Sequence, residues 1–163
     1  MKIFVINGSG RVGKDTFVNL CIKHSKQEIH NISTVDAVKE AATILGWEGQ
    51  KDERSRKFLS DIKDLACTYS DFSVNNIKKY IDEHPSADAI FIHAREPEDI
   101  GRIVNTFNGQ SILITNNRIK EISTNHADAN VKDYNYDMTI KNNGTLIDLT
   151  KYAVVFLTAQ DLL

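Results

Sequence analysis

The chain has 163 residues, of which 41% are hydrophobic and two are cysteine, and its formal net charge is −2. That length and apolar content suffice for one domain with a proper core. The near-neutral charge gives no basic excess for holding long nucleic acid by counterion release, and no apolar run approaches a membrane span. The N-terminus opens on a strand without a charged-then-apolar leader, and Cys21 and Cys67 lie far apart within helical patterns. Both features lead to the expectation of a cytoplasmic domain with buried, free thiols.

In chain order, apolar runs at 3–6, 29–35, 89–93, 111–115 and 136–140 predict five strands. Helical periodicity fills most of the gaps, which predicts an α/β fold with a mainly parallel sheet flanked by helices. The first helix follows Gly13. A second begins near Asp36, which can cap it, and places Val38, Ala41, Ala42 and Leu45 on one face. A third carries Phe58, Leu59, Ile62, Leu65, Ala66 and Tyr69 at three- and four-residue steps, and a fourth runs from Val74 to Ile81 before Pro85. About 50 residues of helical pattern thus separate the second and third strands, where one crossover helix would suffice. A helix over 97–108 has Pro97 in its first turn, Glu98 and Asp99 on its dipole, and Ile100, Ile103, Val104 and Phe107 on one face. Residues 116–135 form one long polar stretch, of the kind that serves as a lid. The last helix starts at a Thr145-x-x-Asp148 capping box and turns Leu146, Leu149, Ala153, Phe156 and Leu157 inward.

The most informative stretch is Gly8-Ser9-Gly10-Arg11-Val12-Gly13-Lys14-Asp15-Thr16, between the first strand and the first helix. Glycines there let backbone N–H groups converge on an anion, and the helix N-terminus adds roughly half a positive charge. Two motifs fit. Gly8-x-Gly10-x-x-Gly13, with Asp36 after the second strand, matches a dinucleotide fingerprint. Gly8-x-x-x-x-Gly13-Lys14 matches a triphosphate loop apart from its last position, where Asp15 stands in place of a hydroxyl and Thr16 follows. Lys14 decides for the second. A lysine there compensates charge on β and γ phosphates, whereas a dinucleotide fold packs that position against its sheet and makes a charge unwelcome.

Gly13-Lys14-Asp15-Thr16 after a glycine-rich turn resembles the phosphate loop of deoxynucleoside monophosphate kinases of phage and bacterial type. His93-Ala94-Arg95-Glu96-Pro97 is similar to an Arg-Glu-Pro element at the same place in some such proteins, and Tyr136-Asp137 with Asn143-Gly144 adds a weaker match. The resemblance implies a P-loop kinase-type sheet with a helical substrate lobe inserted over 36–85 and a short lid over 116–135. It further implies ATP and Mg2+ as cofactors and small nucleotides as substrates. Phosphomevalonate-type acceptors are the runner-up, because that kinase has a similar loop. A nucleotide-binding protein with little catalysis and a dinucleotide-dependent oxidoreductase are the rival readings.

Ligands of open parallel sheets bind beyond the carboxyl ends of the strands, which selects the remaining candidates. Lys14 supplies fixed charge, and Arg95, beyond the third strand, can grip an acceptor or transferring phosphate bidentately or pair with Glu96 or Glu98. Arg118 opens the polar stretch, and by resemblance packs on adenine or touches phosphates, while Asn143 borders the base. Asp15 and Thr16 are the metal candidates. Asp36, Lys39 and Arg54 are the acceptor-binding candidates, with Arg54 and Arg56 on different faces of their helix. His93 occupies the position where many P-loop proteins carry a magnesium-organising aspartate, and a neutral imidazole is a poor magnesium ligand. Beyond Arg118 the proposed lid has Lys120, His126 and Lys132 but no second arginine.

Overall fold

The structure, a computed structural model, describes residues 1–119, 131 and 133–163. Its sheet has the strands β1 (Lys2–Asn7), β2 (Ile29–Ser33), β3 (Ala89–His93), β4 (Gln110–Thr115) and β5 (Met138–Lys141) in the order β2-β3-β1-β4-β5. Every neighbouring pair is parallel. The helices are α1 (Lys14–His24), α2 (Asp36–Ile44), α3 (Glu53–Tyr69), α4 (Phe72–Glu83), α5 (Pro97–Phe107) and α6 (Leu146–Ala159). The five predicted strands and six predicted helices are all present, with ends shifted by a few residues.

Strand alternation divides the interior into two cores. Phe4, Ile6, Phe91 and Ile112 face α1 and α6, where they meet Phe17, Phe156 and Leu157. Ile3, Val5, Ile90 and Ile92 face the other way, onto Ile77 of α4 and Ile100 and Ile103 of α5. A strand buried on both faces reads as a continuous apolar run, which explains Ile3-Phe4-Val5-Ile6 and Ala89-Ile90-Phe91-Ile92 at the centre of the sheet. In the first core, Phe4 lies 5.0 Å from Phe156 and 5.2 Å from Phe91 between ring centroids, and Phe17 lies 5.6 Å from Phe156. These edge and tilted contacts add to the burial itself and lock α1 and α6 onto one face.

Local signals fix the helix ends. Asp52 accepts a hydrogen bond from the Ser55 amide at 2.7 Å and caps α3. Thr145 and Asp148 form the full reciprocal box at α6. Pro97 sits in the first turn of α5, and Asn108, in the left-handed region at φ 49°, ends it. Asp36 departs from expectation. Val35 holds the N-cap position without a side-chain bond, and Asp36, already helical, turns its carboxylate back to the Ser33 amide at 2.8 Å and to Lys39 Nζ at 3.0 Å.

The apolar stripes of three helices are also only partly covered. Leu45 of the α2 end is 66% exposed, Leu65 and Tyr69 of α3 are 74% and 92% exposed, and Leu146 of α6 is 63% exposed. Periodicity marks a stripe, but α3 meets α2 and α4 rather than the sheet, so Phe58, Leu59 and Ile62 are only half-buried. Cys21 is buried, with its thiol pushed up to about 12 by desolvation, while Cys67 is half-buried with its sulfur 3.5 Å from Ser73 Oγ. Both cysteines are free. No described helix is long and apolar enough to cross a membrane.

The three helices between β2 and β3 are tied to the sheet layer by ion pairs on α5. Lys63 of α3 donates to Asp99 at 2.5 Å with both side chains largely buried, and Arg102 pairs with Asp71 at the start of α4. Removing one partner of a buried pair strands the other charge. We therefore expect Lys63→Ala to lower the unfolding free energy by on the order of 3 kcal/mol in urea titration. An unchanged midpoint would show that the pair contributes nothing.

Candidate active site

The register of the sheet brings the strand ends level. Ile6 and Ser33 both align with His93, and Thr115 aligns with Lys141, so the segments after β1, β2 and β3 emerge together, as do those after β4 and β5. The loop after β1 lies between these groups. It has three residues at positive φ: Gly8 at 148°, Arg11 at 67° and Gly13 at 100°. A Cβ at Gly8 would collide with the Ile114 carbonyl oxygen, so β4 demands glycine there. Arg11 adopts a left-handed conformation that costs an ordinary residue about 1–2 kcal/mol, a strain held in place by the surrounding loop. Gly10 has open space around it.

Gly13 begins α1 without any side-chain cap, so amides of the first helical turn are left for a ligand. Asn142, just past β5, donates from Nδ2 to the Val12 carbonyl at 2.9 Å, in space that a Cβ on Gly13 would need. Lys14 lies back across the loop, where its ammonium donates to the Gly8 carbonyl and, at 2.9 Å, to the Ser9 carbonyl. A positive charge is thus held across the turn that leads into α1. Asp15 and Thr16 follow on the first turn of α1 with exposed side chains. Oxygen donors of this kind suit magnesium, which is typically held by one or two protein groups together with substrate phosphates and water.

His93 ends β3 beside them. Its Nδ1 is 3.7 Å from Asp15 Oδ1, its side chain is 14% exposed, and its Nε2 is buried with no hydrogen-bond partner among the described residues. Burial holds its pKa below the ordinary 6.5, Asp15 opposes this, and the charge of Lys14 reinforces it. The imidazole is therefore neutral near pH 7. Asp36 and Lys39 are near enough to act on His93 electrostatically, and the Thr34 amide donates to the His93 carbonyl at 3.0 Å. Lys14 and Asp15 thus bear on His93 from the loop, while Asp36 and Lys39, themselves paired at 3.0 Å, bear on it from the β2 side.

Arg95 follows in the β3–α5 loop with an exposed side chain, and among the described residues it pairs with neither Glu96 nor Glu98. Its carbonyl accepts from Asn7 Nδ2 at 3.1 Å. On the far side of the loop, Arg118 Nη1 reaches the Gly144 carbonyl at 3.5 Å, and the Asn117 amide donates to Asn143 Oδ1 at 2.8 Å. Arg118 and Asn143 are thus brought together at the exits of β4 and β5. Arg54 is exposed in the first turn of α3, and among the described residues no hydrogen bond or ion pair joins it to the loop. Most of the proposed lid, including Lys120, His126 and Lys132, lies outside the described residues.

Asn7 carries no motif in the sequence, and Tyr136, part of the Tyr136-Asp137 match, takes on a supporting role in the site only through Asn7. Asn7 is fully buried at the end of β1, and Tyr136 donates to the Val131 carbonyl at 2.9 Å while accepting from Asn7 at 2.7 Å. The signal was a polar residue closing an otherwise apolar central strand, where an amide is costly unless fully bonded.

Strand order separates the two readings of the loop. A dinucleotide fold of the 3-2-1-4-5-6 type sets the second strand next to the first, with its acidic residue near the ribose. Here β3 intervenes, β2 is the edge, and Asp36 stands two strands from the loop. No family model and no curated protein sequence matches the chain. Among solved structures, a shikimate kinase from Aquifex aeolicus is similar at a TM-score of 0.52 and 13% identity, covering 99% of each chain. A sugar kinase from Janibacter sp. is similar at 0.52 and 12% identity, covering 99% of this chain and 95% of its own. The likeness extends over essentially the whole domain and establishes the fold as that of the P-loop kinases.

The His93 environment makes a pH prediction. Its folded pKa lies below the unfolded value, so the unfolded chain binds more protons as pH falls below 6.5. Stability attached to His93 is full above that pH and is lost on acidification. We expect the fall in unfolding free energy between about pH 6.5 and 5 to be shallower in His93→Asn than in the wild type, as read by urea titration at each pH. Parallel curves would contradict this environment.

Proposed function

We propose that this chain transfers the γ-phosphoryl group of ATP to a small phosphorylated acceptor, and that the acceptor is a deoxynucleoside monophosphate. The observation that carries the reading is the placement of Lys14, folded over an uncapped helix N-terminus whose loop is held by β4 and Asn142. Such a turn binds phosphate through amides and fixed charge, and phosphoryl transfer asks mainly for positioning and electrostatic stabilisation.

In this reading the loop amides from Ser9 to Lys14 hold the outer phosphates, while the Gly8 amide is taken by Asn7. Arg95, exposed beyond β3, grips the acceptor's phosphate or the transferring group. Arg118 and Asn143 border the base. Asp15 and Thr16 would hold magnesium, which when bound neutralises charge on the phosphates. Asp36 and Lys39 present an acid and a base on the β2 side, suited to an acceptor with both a hydroxyl and an anionic group. Arg54 would approach only from the helical lobe. The fold neighbours bear the names of kinases for shikimate and for a sugar, so the fold leaves the acceptor to these side chains.

The test is an ATP-dependent transfer assay over deoxynucleoside monophosphates, phosphomevalonate, shikimate and simple sugars. The wild type should phosphorylate a deoxynucleoside monophosphate, and Lys14→Ala should lose at least about 100-fold in rate. Transfer undiminished in Lys14→Ala would refute the site, and preference for any acceptor other than a deoxynucleoside monophosphate, phosphomevalonate included, would refute the acceptor.

A further inference from the structure

We infer that Asn7 and Tyr136 act as a positioning pair, which sets the first amide of the phosphate loop and the backbone of Arg95 from a single buried carboxamide. The effect on rate rests on the phosphoryl-transfer reading above. Neither residue touches substrate. Asn7 Oδ1 accepts from the Gly8 amide at 2.7 Å, while its Nδ2 donates to the Arg95 carbonyl at 3.1 Å and to the Tyr136 hydroxyl at 2.7 Å. The Tyr136 hydroxyl spends its one proton on the Val131 carbonyl at 2.9 Å.

This last bond fixes the direction of the whole chain of bonds. With its proton committed, the phenol can only accept, so Asn7 must present its NH2 group to it. The Asn7 oxygen then faces the Gly8 N–H. The flipped amide would set NH2 against the Gly8 N–H and an oxygen against the Arg95 carbonyl, two clashes with no compensation. One orientation survives, and a buried, fully satisfied network of this kind specifies geometry.

Tyr136 is itself braced. It packs on the core cluster that contains Ile100 and Ile103 of α5, with the Tyr134 ring 5.1 Å away at an edge-on angle and Tyr134 against Gly101. Burial also raises the phenol's pKa, so its proton stays in place at neutral pH. Arg95 needs this help. Its exposed side chain has no ion pair among the described residues, so the tie at its carbonyl is a direct means of placing its Cα. A shift of about 1 Å in a positioning group can cost roughly 100-fold in rate.

Tyr136→Phe is the gentle probe, since it keeps the ring and its packing where Asn7→Ala risks the fold. It is best read in a double-mutant cycle with Arg95→Ala. We expect Tyr136→Phe to lower kcat about tenfold with KM for ATP within about twofold, and to add less than about twofold in the Arg95→Ala background. Losses that simply multiply, or an unchanged kcat, would overturn the inference. Hydrogen exchange supplies a readout independent of catalysis: the Gly8 amide should exchange faster in Tyr136→Phe. If the wild type phosphorylates no acceptor, the functional reading fails, and the Gly8 exchange still decides whether Tyr136 sets the loop. Unchanged protection there would overturn the pair.

Discussion

The backbone amides at the start of α1 have no capping side chain, and the surrounding chain compensates by holding the turn from outside. A helix N-terminus ordinarily satisfies its first amides with Ser, Thr, Asp or Asn. Only α3 and α6 do so here, through Asp52 and Thr145, while α2, α4 and α5 begin without a side-chain cap, Asp36 instead reaching back to the Ser33 amide. At α1 the position belongs to Gly13, and support comes from neighbours instead: Asn142 on the Val12 carbonyl, the Ile114 carbonyl behind Gly8, Asn7 on the Gly8 amide and Lys14 on the loop carbonyls. Each supporting group comes from the carboxyl end of a strand or from the loop itself. The cost of leaving amides open is met by a fold that converges there.

That convergence depends on β1 being central. Because β3 and β4 flank it, the loop after β1 receives the Arg95 segment on one side and the Asn116–Arg118 segment on the other. Two phenylalanine-rich and isoleucine-rich cores, one on each face, hold that strand in register. The three helices between β2 and β3 hang from this frame through α5, where Asp99 and Arg102 receive Lys63 and Asp71. Placement of Arg95 and placement of these three helices therefore both depend on α5.

Much of this was legible in the sequence where one physical signal dominates. Continuous apolar runs marked the central strands, and Pro97 and the Thr145–Asp148 box marked helix starts as residue chemistry demands. The glycine-lysine turn identified the loop. Less legible were properties that depend on what an element packs against. Leu65 and Tyr69 lie on a periodic stripe yet remain exposed, because α3 rests on other helices rather than on the sheet. Asp36 stands where a cap belongs but reaches the Ser33 amide from inside the helix. Asn7 and Tyr136 are 129 residues apart, and no spacing rule connects them. The dinucleotide alternative fell on strand order, which periodicity does not encode.

The central claim is that this turn holds the phosphates of a nucleoside triphosphate. Calorimetric titration of the intact chain with MgATP, and separately with NAD, tests it most directly. The account predicts saturable MgATP binding that Lys14→Ala removes, with no heat of binding from NAD. Binding of NAD with indifference to MgATP, or MgATP binding that survives in Lys14→Ala, would contradict it.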